Sequence, residues 1–257
     1  MMGFKVVIPA RYGSTRLPGK PLLEIHGKPM VQWVVEAACA SEANEVWVAT
    51  DDARIAAVVQ PAFDKPAQAM MTAVEHRSGT DRLAEVATRQ QWADDIIVVN
   101  VQGDEPQMPP VLINQVAQLL ATHPEAALAT LSTPIDSLAE FLNPNVVKVV
   151  SDAQGLALYF SRAPIPWHRD AAPEGLNSQT QFAGAQRHLG IYAYRVQALA
   201  TLTRLPPGEL EQAESLEQLR ALQAGLRIAV ATASIRPGVG VDTPQDIERI
   251  RLQAQVN

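Results

Sequence analysis

The sequence predicts an α/β layered fold with a mostly parallel central sheet, on three observations. Short apolar runs of strand character alternate with amphipathic helical stretches along the chain. The first strand opens into a basic loop punctuated by glycine and proline, and acidic glycine-bearing turns stand at 100–106 and 238–244.

The elements follow in order. Residues 4–8, F-K-V-V-I, form a buried strand that Pro9 is expected to end. Further strands are predicted at 46–50, 96–101, 126–131, 146–150, 156–161, 189–194 and 227–231. Helices are predicted at 31–40, 52–59, 81–91, 111–122, 197–202 and 216–224. A last helix starts at Thr243 as N-cap and Pro244 as first helical residue. Ligands of such sheets bind at the carboxyl ends of the strands, so the loops after the first strand, Thr50 and Val101 belong to the functional edge. A Pro/Asn-rich turn at 141–145 and a polar stretch at 168–186 mark out a candidate middle subdomain.

The 257 residues, 47% hydrophobic and 19% charged, suit one domain, or one domain with a subdomain. Neither a membrane-length apolar run nor a secretory leader is evident, so a cytoplasmic protein without membrane contact is expected. The single cysteine, Cys39, excludes an internal disulfide framework and reads as a buried helix residue.

The loop I-P-A-R-Y-G-S-T-R-L-P-G-K-P-L at 8–22 carries Arg11, Arg16 and Lys20. It is not a Walker A loop, because five residues separate Gly13 from Gly-Lys and Pro21 stands where a magnesium-binding hydroxyl is required. Nor is there a G-x-G-x-x-G fingerprint of the NAD type. A solvated basic loop would look similar. Charge distribution favours an anion site: the first 28 residues carry +4 on a chain of net charge -6, leaving -10 on the rest. One basic cluster on an acidic protein fits a small phosphorylated ligand, whereas a nucleic-acid binder presents an extended basic face.

In N-V-Q-G-D-E-P at 100–106, Gly103 is expected to permit a sharp turn that projects Asp104 toward that ligand. A carboxylate beside a polyanion implies a hard cation between them, with Mg²⁺ the natural choice. Asp104 as an ordinary turn or cap residue is the alternative. Asp242, in G-V-G-V-D-T-P, is not needed for the following cap and is a candidate partner for Asp104 on the metal.

Together these segments resemble the cytidylyltransferases that activate 3-deoxy-D-manno-octulosonate (Kdo). The resemblance continues through V-A-T-D at 48–51, H-x-S-G-T-x-R-L-A-E at 76–85, N-P-N-x-V-K-V-V at 143–150 and L-Y-F-S-R-A-x-I-P-W at 158–167. It extends to R-H-L-G-I-Y at 187–192, L-E-Q-L-R at 216–220 and G-V-D-T-P-x-D at 240–246. It implies a Rossmann-like nucleotide-diphospho-sugar transferase fold, with helices on both faces of the sheet and a smaller subdomain. It implies further that the whole of 1–257 is one cytidylyltransferase domain, with about 143–194 contributing to a homodimer contact. The implied reaction joins CMP from CTP to the anomeric hydroxyl of Kdo, releasing pyrophosphate, for lipopolysaccharide biosynthesis.

The resemblance also implies roles. Arg11 and Lys20 would neutralise phosphates with a contact from Ser14, and Asp104 and Asp242 would hold Mg²⁺. Ser78, Gly79, Arg82 and Gln102 would recognise the nucleotide. Arg162, His188, Tyr192, Glu217 and Gln218 would hold the sugar acid. From the residues alone, Ser78 or Thr80 could equally be a helix cap, His188 and Tyr192 one side of an ordinary sheet, and Glu217 and Gln218 a helix surface. The chain departs from the family's usual pattern at Gly13 and Asp81, which leaves the choice between Kdo and an amino-substituted analogue open. Another sugar-acid nucleotidyltransferase, such as one making CMP-sialate, and a non-catalytic nucleotide-binding protein are the competing readings.

Overall fold

The structure is a computed structural model and describes residues 3–13, 17–238, 240–241 and 243–253. The chain opens with β1 (Phe4–Ala10), a small hairpin of β2 (Glu24–Ile25) and β3 (Lys28–Pro29), α1 (Met30–Cys39), β4 (Glu45–Thr50), α2 (Ala53–Ala57) and β5 (Ala67–Met71). It crosses through α3 (Gly79–Arg89) to β6 (Ile97–Asn100), then α4 (Pro110–Thr122), β7 (Leu128–Pro134) and α5 (Leu138–Leu142). β8 (Lys148–Ser151), β9 (Ala157–Ser161) and β10 (Gln186–Arg195) follow. The chain then runs through α6 (Val196–Leu202), α7 (Glu209–Glu214), α8 (Gln218–Gln223), β11 (Ile228–Thr232) and α9 (Pro244–Gln253).

The main sheet runs β11-β7-β10-β6-β1-β4-β5, with β8 and β9 extending it from β10. It is mostly parallel; β10 lies antiparallel between β6 and β7. The central strands β1, β4, β6 and β7 are buried on both faces. Val6, Ile8, Val46 and Val48 pack with α1 and α4 on one side, while Val7, Trp47, Ala49 and Val98 pack with α3, α6 and α8 on the other. Cys39 is buried on the α1 side, as expected. The α9 helix closes over the β2–β3 hairpin, where Ile247 and Ile250 meet Ile25 and Met30.

One strand expectation is corrected. Pro9 does not end β1, which continues to Ala10 with Pro9 in register with Ala49. The last contact to β6 is Val101 N–H donating to Val7 O at 3.3 Å, and Pro9 O faces Gly103, where β6 has already turned away. The missing proline N–H therefore forfeits no ladder bond. The expected subdomain boundary near Tyr194 falls inside β10, a core strand of the main sheet; the β8–β9 hairpin and the excursion before β10 are what project from it.

β1 runs to β4 and β5 on one side, and the chain then returns to place β6 on the other. The β1/β6 boundary is thus a topological switch point, where open α/β sheets bind their ligands.

Candidate active site

At that switch point the carboxyl ends of β1 and β6 border a cavity of about 440 Å³. Of the residues singled out from sequence, Arg11, Lys20, Ser78, Gly79, Arg82, Gln102, Asp104 and Glu217 line it. Ser14, Arg16 and Asp242 lie outside the described residues.

The basic loop is closed at its neck. Gly19 N–H donates to Tyr12 O at 3.0 Å, and Gly19 takes φ +70°, which a glycine adopts without strain. Lys20, next in the chain, is buried and donates from Nζ to Asp104 Oδ2 at 2.7 Å. Gly103 stands in the expected turn, with Glu105 N–H donating to Gln102 O at 3.1 Å. It has no positive φ; its requirement is space, because a Cβ there would lie 2.9 Å from Pro9 O. The absent side chain lets the 102–104 turn seat directly against the end of β1.

The opposite wall is the start of α3. Ser78 caps it, accepting from Asp81 N–H while Asp81 accepts from Ser78 N–H, so the capping alternative is true together with the place in the cavity. The first residues of an 11-residue helix thereby face the cavity, an arrangement that favours anions. Arg82 is buried and largely committed. Nη1 donates to Thr72 Oγ1 at 2.6 Å and Ala73 O at 3.1 Å, and Nη2 to Asp51 Oδ2 at 2.6 Å. It fixes the 72–78 strap as well as lining the cavity. Sequence reasoning missed His76 and Arg77, which line the same space; His76 Nε2 lies 2.6 Å from Glu85 Oε2. The H-x-S-G-T motif contained the signal.

Next to the cavity stands a second wall. The rings of Phe160, His188, Tyr192 and Tyr194 form a chain with successive centroids 5.1, 5.3 and 5.7 Å apart. Buried in or beside it, His188 Nε2, Tyr192 Oη, Gln218 Nε2 and Asn100 Oδ1 have no hydrogen-bond partner among the described residues. Buried polar atoms are almost always paired, so this grouping suits a hydroxyl-rich ligand. Asn100, in register with Tyr192, was not anticipated. Glu217 joins the two walls, and burial raises its carboxyl pKa. Arg162 is placed differently from the rest of its set. Nε donates to Glu214 O at 2.6 Å and Nη1 to Pro144 O at 3.1 Å, while Arg162 N–H donates to Glu214 Oε2 at 2.9 Å. Among the described residues it latches the segment that leads to Glu217 and does not line the cavity.

Burial depresses the His188 pKa to about 3, so the folded protein keeps a neutral imidazole. The unfolded chain takes up a proton below its ordinary value of 6.5. Stability is therefore expected to fall as pH drops from about 6.5 toward 3, this group contributing about 1.4 kcal/mol per pH unit. Chemical denaturation between pH 4.5 and 7 should show that component in the native protein and its absence in His188→Gln. Equal slopes would place His188 in contact with solvent.

Comparison with known proteins agrees with this geometry. The cytidylyltransferase family model matches residues 5–228. The chain is 57% identical to the 3-deoxy-manno-octulosonate cytidylyltransferase of Pseudomonas syringae pv. syringae over 248 residues, 96% of each chain. It is 55% identical to that of Nitrosococcus oceani over 252 residues, 97% of this chain and 96% of the relative. A solved structure of CMP:2-keto-3-deoxy-manno-octonic acid synthetase complexed with CTP superposes with a TM-score of 0.87 at 46% identity, covering 99% of this chain and 100% of that one. A cytidylyltransferase from Leptospira borgpetersenii, 15% identical with a TM-score of 0.60 over 100% of this chain and 88% of its own, shares the fold. With strand ends, cation-lined cavity and whole-chain identity in agreement, this chain belongs to the cytidylyltransferase family and, within it, to the 3-deoxy-manno-octulosonate cytidylyltransferases.

Proposed function

We propose that this protein transfers CMP from CTP to the anomeric hydroxyl of Kdo, giving CMP-Kdo and pyrophosphate and supplying activated Kdo for lipopolysaccharide biosynthesis. The observation that carries the reading is the pairing of a cation-lined cavity at the β1/β6 switch point with an adjoining wall of unpartnered polar atoms. The first suits a nucleoside triphosphate and the second a polyhydroxylated acid.

The sugar hydroxyl oxygen attacks the α-phosphorus, a P–O bond forms, and the bond to the β-phosphate breaks as pyrophosphate leaves. Such transfers depend on positioning and on charge placed where charge develops. Arg11 and Lys20 neutralise the phosphates, and Lys20 follows the departing pyrophosphate. Gln102, Ser78 and Gly79 hold the nucleotide. His188, Tyr192 and Gln218 orient the sugar hydroxyls, and Glu217 stands where the cavity meets their wall. Arg162 acts through its hold on the 214–215 backbone.

The residues fit a magnesium ion. Asp104 offers a hard carboxylate oxygen in the cavity, and its own carbonyl accepts from Val241 N–H at 2.9 Å, which ties the stretch next to Asp242 to it. Asp104 and Asp242 would hold the ion. When bound, Mg²⁺ screens the phosphates and lowers the pKa of the attacking hydroxyl. No side-chain base is then required.

CTP is a cytoplasmic nucleotide, so the reaction belongs there; no helix among the described residues is long and apolar enough to cross a membrane. We read the working form as a homodimer. Leu158, Trp167 and Leu176 are exposed in β9 and the 163–185 stretch and are the apolar side chains we place in that contact, and light scattering should return twice the chain mass.

Pyrophosphate release tests the substrates. Kdo with CTP should release it only when Mg²⁺ is present, with UTP, ATP and GTP far slower. Turnover with sialic acid in place of Kdo would preserve the phosphate site and overturn the sugar assignment. No release with any pair would favour a non-catalytic protein.

A further inference from the structure

We infer that Asp51, which does not itself line the cavity, is the positioning residue that holds the phosphate loop and the nucleotide wall in fixed relation to one another. Asp51 follows Thr50 at the carboxyl end of β4, where Thr50 stands in register with Ala10 of β1 on one side and Met71 of β5 on the other. Its two carboxylate oxygens reach in opposite directions along this edge. Oδ1 accepts from Tyr12 N–H at 3.3 Å, and Oδ2 accepts from Arg82 Nη2 at 2.6 Å.

Each contact is relayed to the cavity. Tyr12 O accepts from Gly19 N–H at 3.0 Å, so the residue held by Asp51 also closes the neck of the basic loop and sets where Lys20 begins. Arg82 in turn holds Thr72 Oγ1 and Ala73 O, which anchor the strap leading to His76, Arg77 and Ser78 on the cavity wall. One carboxylate therefore governs both walls that would close on a triphosphate nucleotide.

The pair is enclosed: the Arg82 side chain is 3% exposed and that of Asp51 16%. An asparagine at this position retains the shape but offers one acceptor oxygen where two donors converge, so its amide must face either Tyr12 N–H or the guanidinium. It also leaves a buried cation without its counter-charge.

The inference rests on the CTP reading of the cavity. The test is Asp51→Asn, with calorimetric binding of CTP alone and steady-state kinetics with CTP and Kdo. Glu45→Gln serves as control; it removes the Lys5–Glu45 ion pair at the far end of the same strand. For Asp51→Asn, Kd and KM for CTP should rise about 10- to 100-fold while KM for Kdo at saturating CTP stays within about twofold, and the control should move neither. Asp51→Glu, which keeps the charge but displaces both oxygens, should shift CTP affinity in the same direction and provides the measurement should the asparagine variant not fold. CTP affinity unchanged in a folded variant overturns the inference, as does an equal loss for CTP and Kdo. A native protein that fails to bind CTP overturns the cavity reading instead, so the two failures are distinguishable.

Discussion

Asp104→Asn is expected to lower kcat/KM for CMP transfer on the order of a thousandfold while leaving the fold intact. Two consequences of one substitution add up to this. The Asp104 carboxylate accepts from Lys20 Nζ at 2.7 Å, so the substitution removes the negative charge that pairs with the ammonium at the end of β6. It is also the hard donor on which the magnesium reading depends, and an amide oxygen binds a divalent cation more weakly. The side chain is 40% exposed, so unfolding is not the expected cause. Lys20→Met provides the contrast. It should lower kcat on the order of a hundredfold, by loss of charge at the phosphates, without raising the Mg²⁺ concentration for half-maximal rate. Magnesium titrations of the two variants separate the roles: a shifted midpoint in Asp104→Asn alone is the expected pattern, and equal midpoints in both would remove Asp104 from the metal.

Gly103→Ala is the second large effect. The added Cβ would lie 2.9 Å from Pro9 O and 3.4 Å from Ala10 Cβ, both on a central strand that cannot retreat. The 102–104 turn must move instead, carrying Gln102 and Asp104 with it. A loss of about 1–3 kcal/mol in stability is expected from overpacking, together with a fall in kcat/KM on the order of a hundredfold from misplacement by about an ångström. Gly13→Ala is the matched control, since a Cβ there meets nothing within 4 Å among the described residues. Thermal denaturation and kinetics on both variants should show a large effect at 103 and a small one at 13. Similar effects at both would mean that close packing of the turn on Pro9 is not what positions Asp104.

The parts of the fold visible in the sequence were those with strong period and flanking breaks, such as V-V-I before the basic loop and I-I-V-V before the acidic turn. β5 was not visible, because A-Q-A-M-M has neither β-branched residues nor clean alternation and is a strand through its pairing with β4. The short α7 was hidden similarly, its six residues burying none of their side chains. At the site, residue types announced an anion pocket but not the division of labour within it. Arg82 carried the same positive charge as Arg11 in the sequence, yet its guanidinium is engaged with Asp51, Thr72 and Ala73 while Arg11 is exposed at the cavity. Arg162 likewise binds backbone carbonyls. Those partners lie 9 to 52 residues away along the chain, so local spacing held no record of them. Asn100 escaped notice because an asparagine at the end of an apolar strand becomes informative only when its amide oxygen is seen buried and unpaired beside Tyr192.

The central claim is that one cavity and its adjoining wall bring CTP and Kdo together for direct transfer. Phosphorus NMR of the protein with CTP, Kdo and Mg²⁺ tests it most directly, because it reports which phosphorus bonds exist at the end of the reaction. The account predicts a new phosphodiester resonance that carries CMP on the sugar, appearing in step with pyrophosphate. CMP and pyrophosphate without the phosphodiester, in a time course short enough to catch it, would mean transfer to water and would contradict the account.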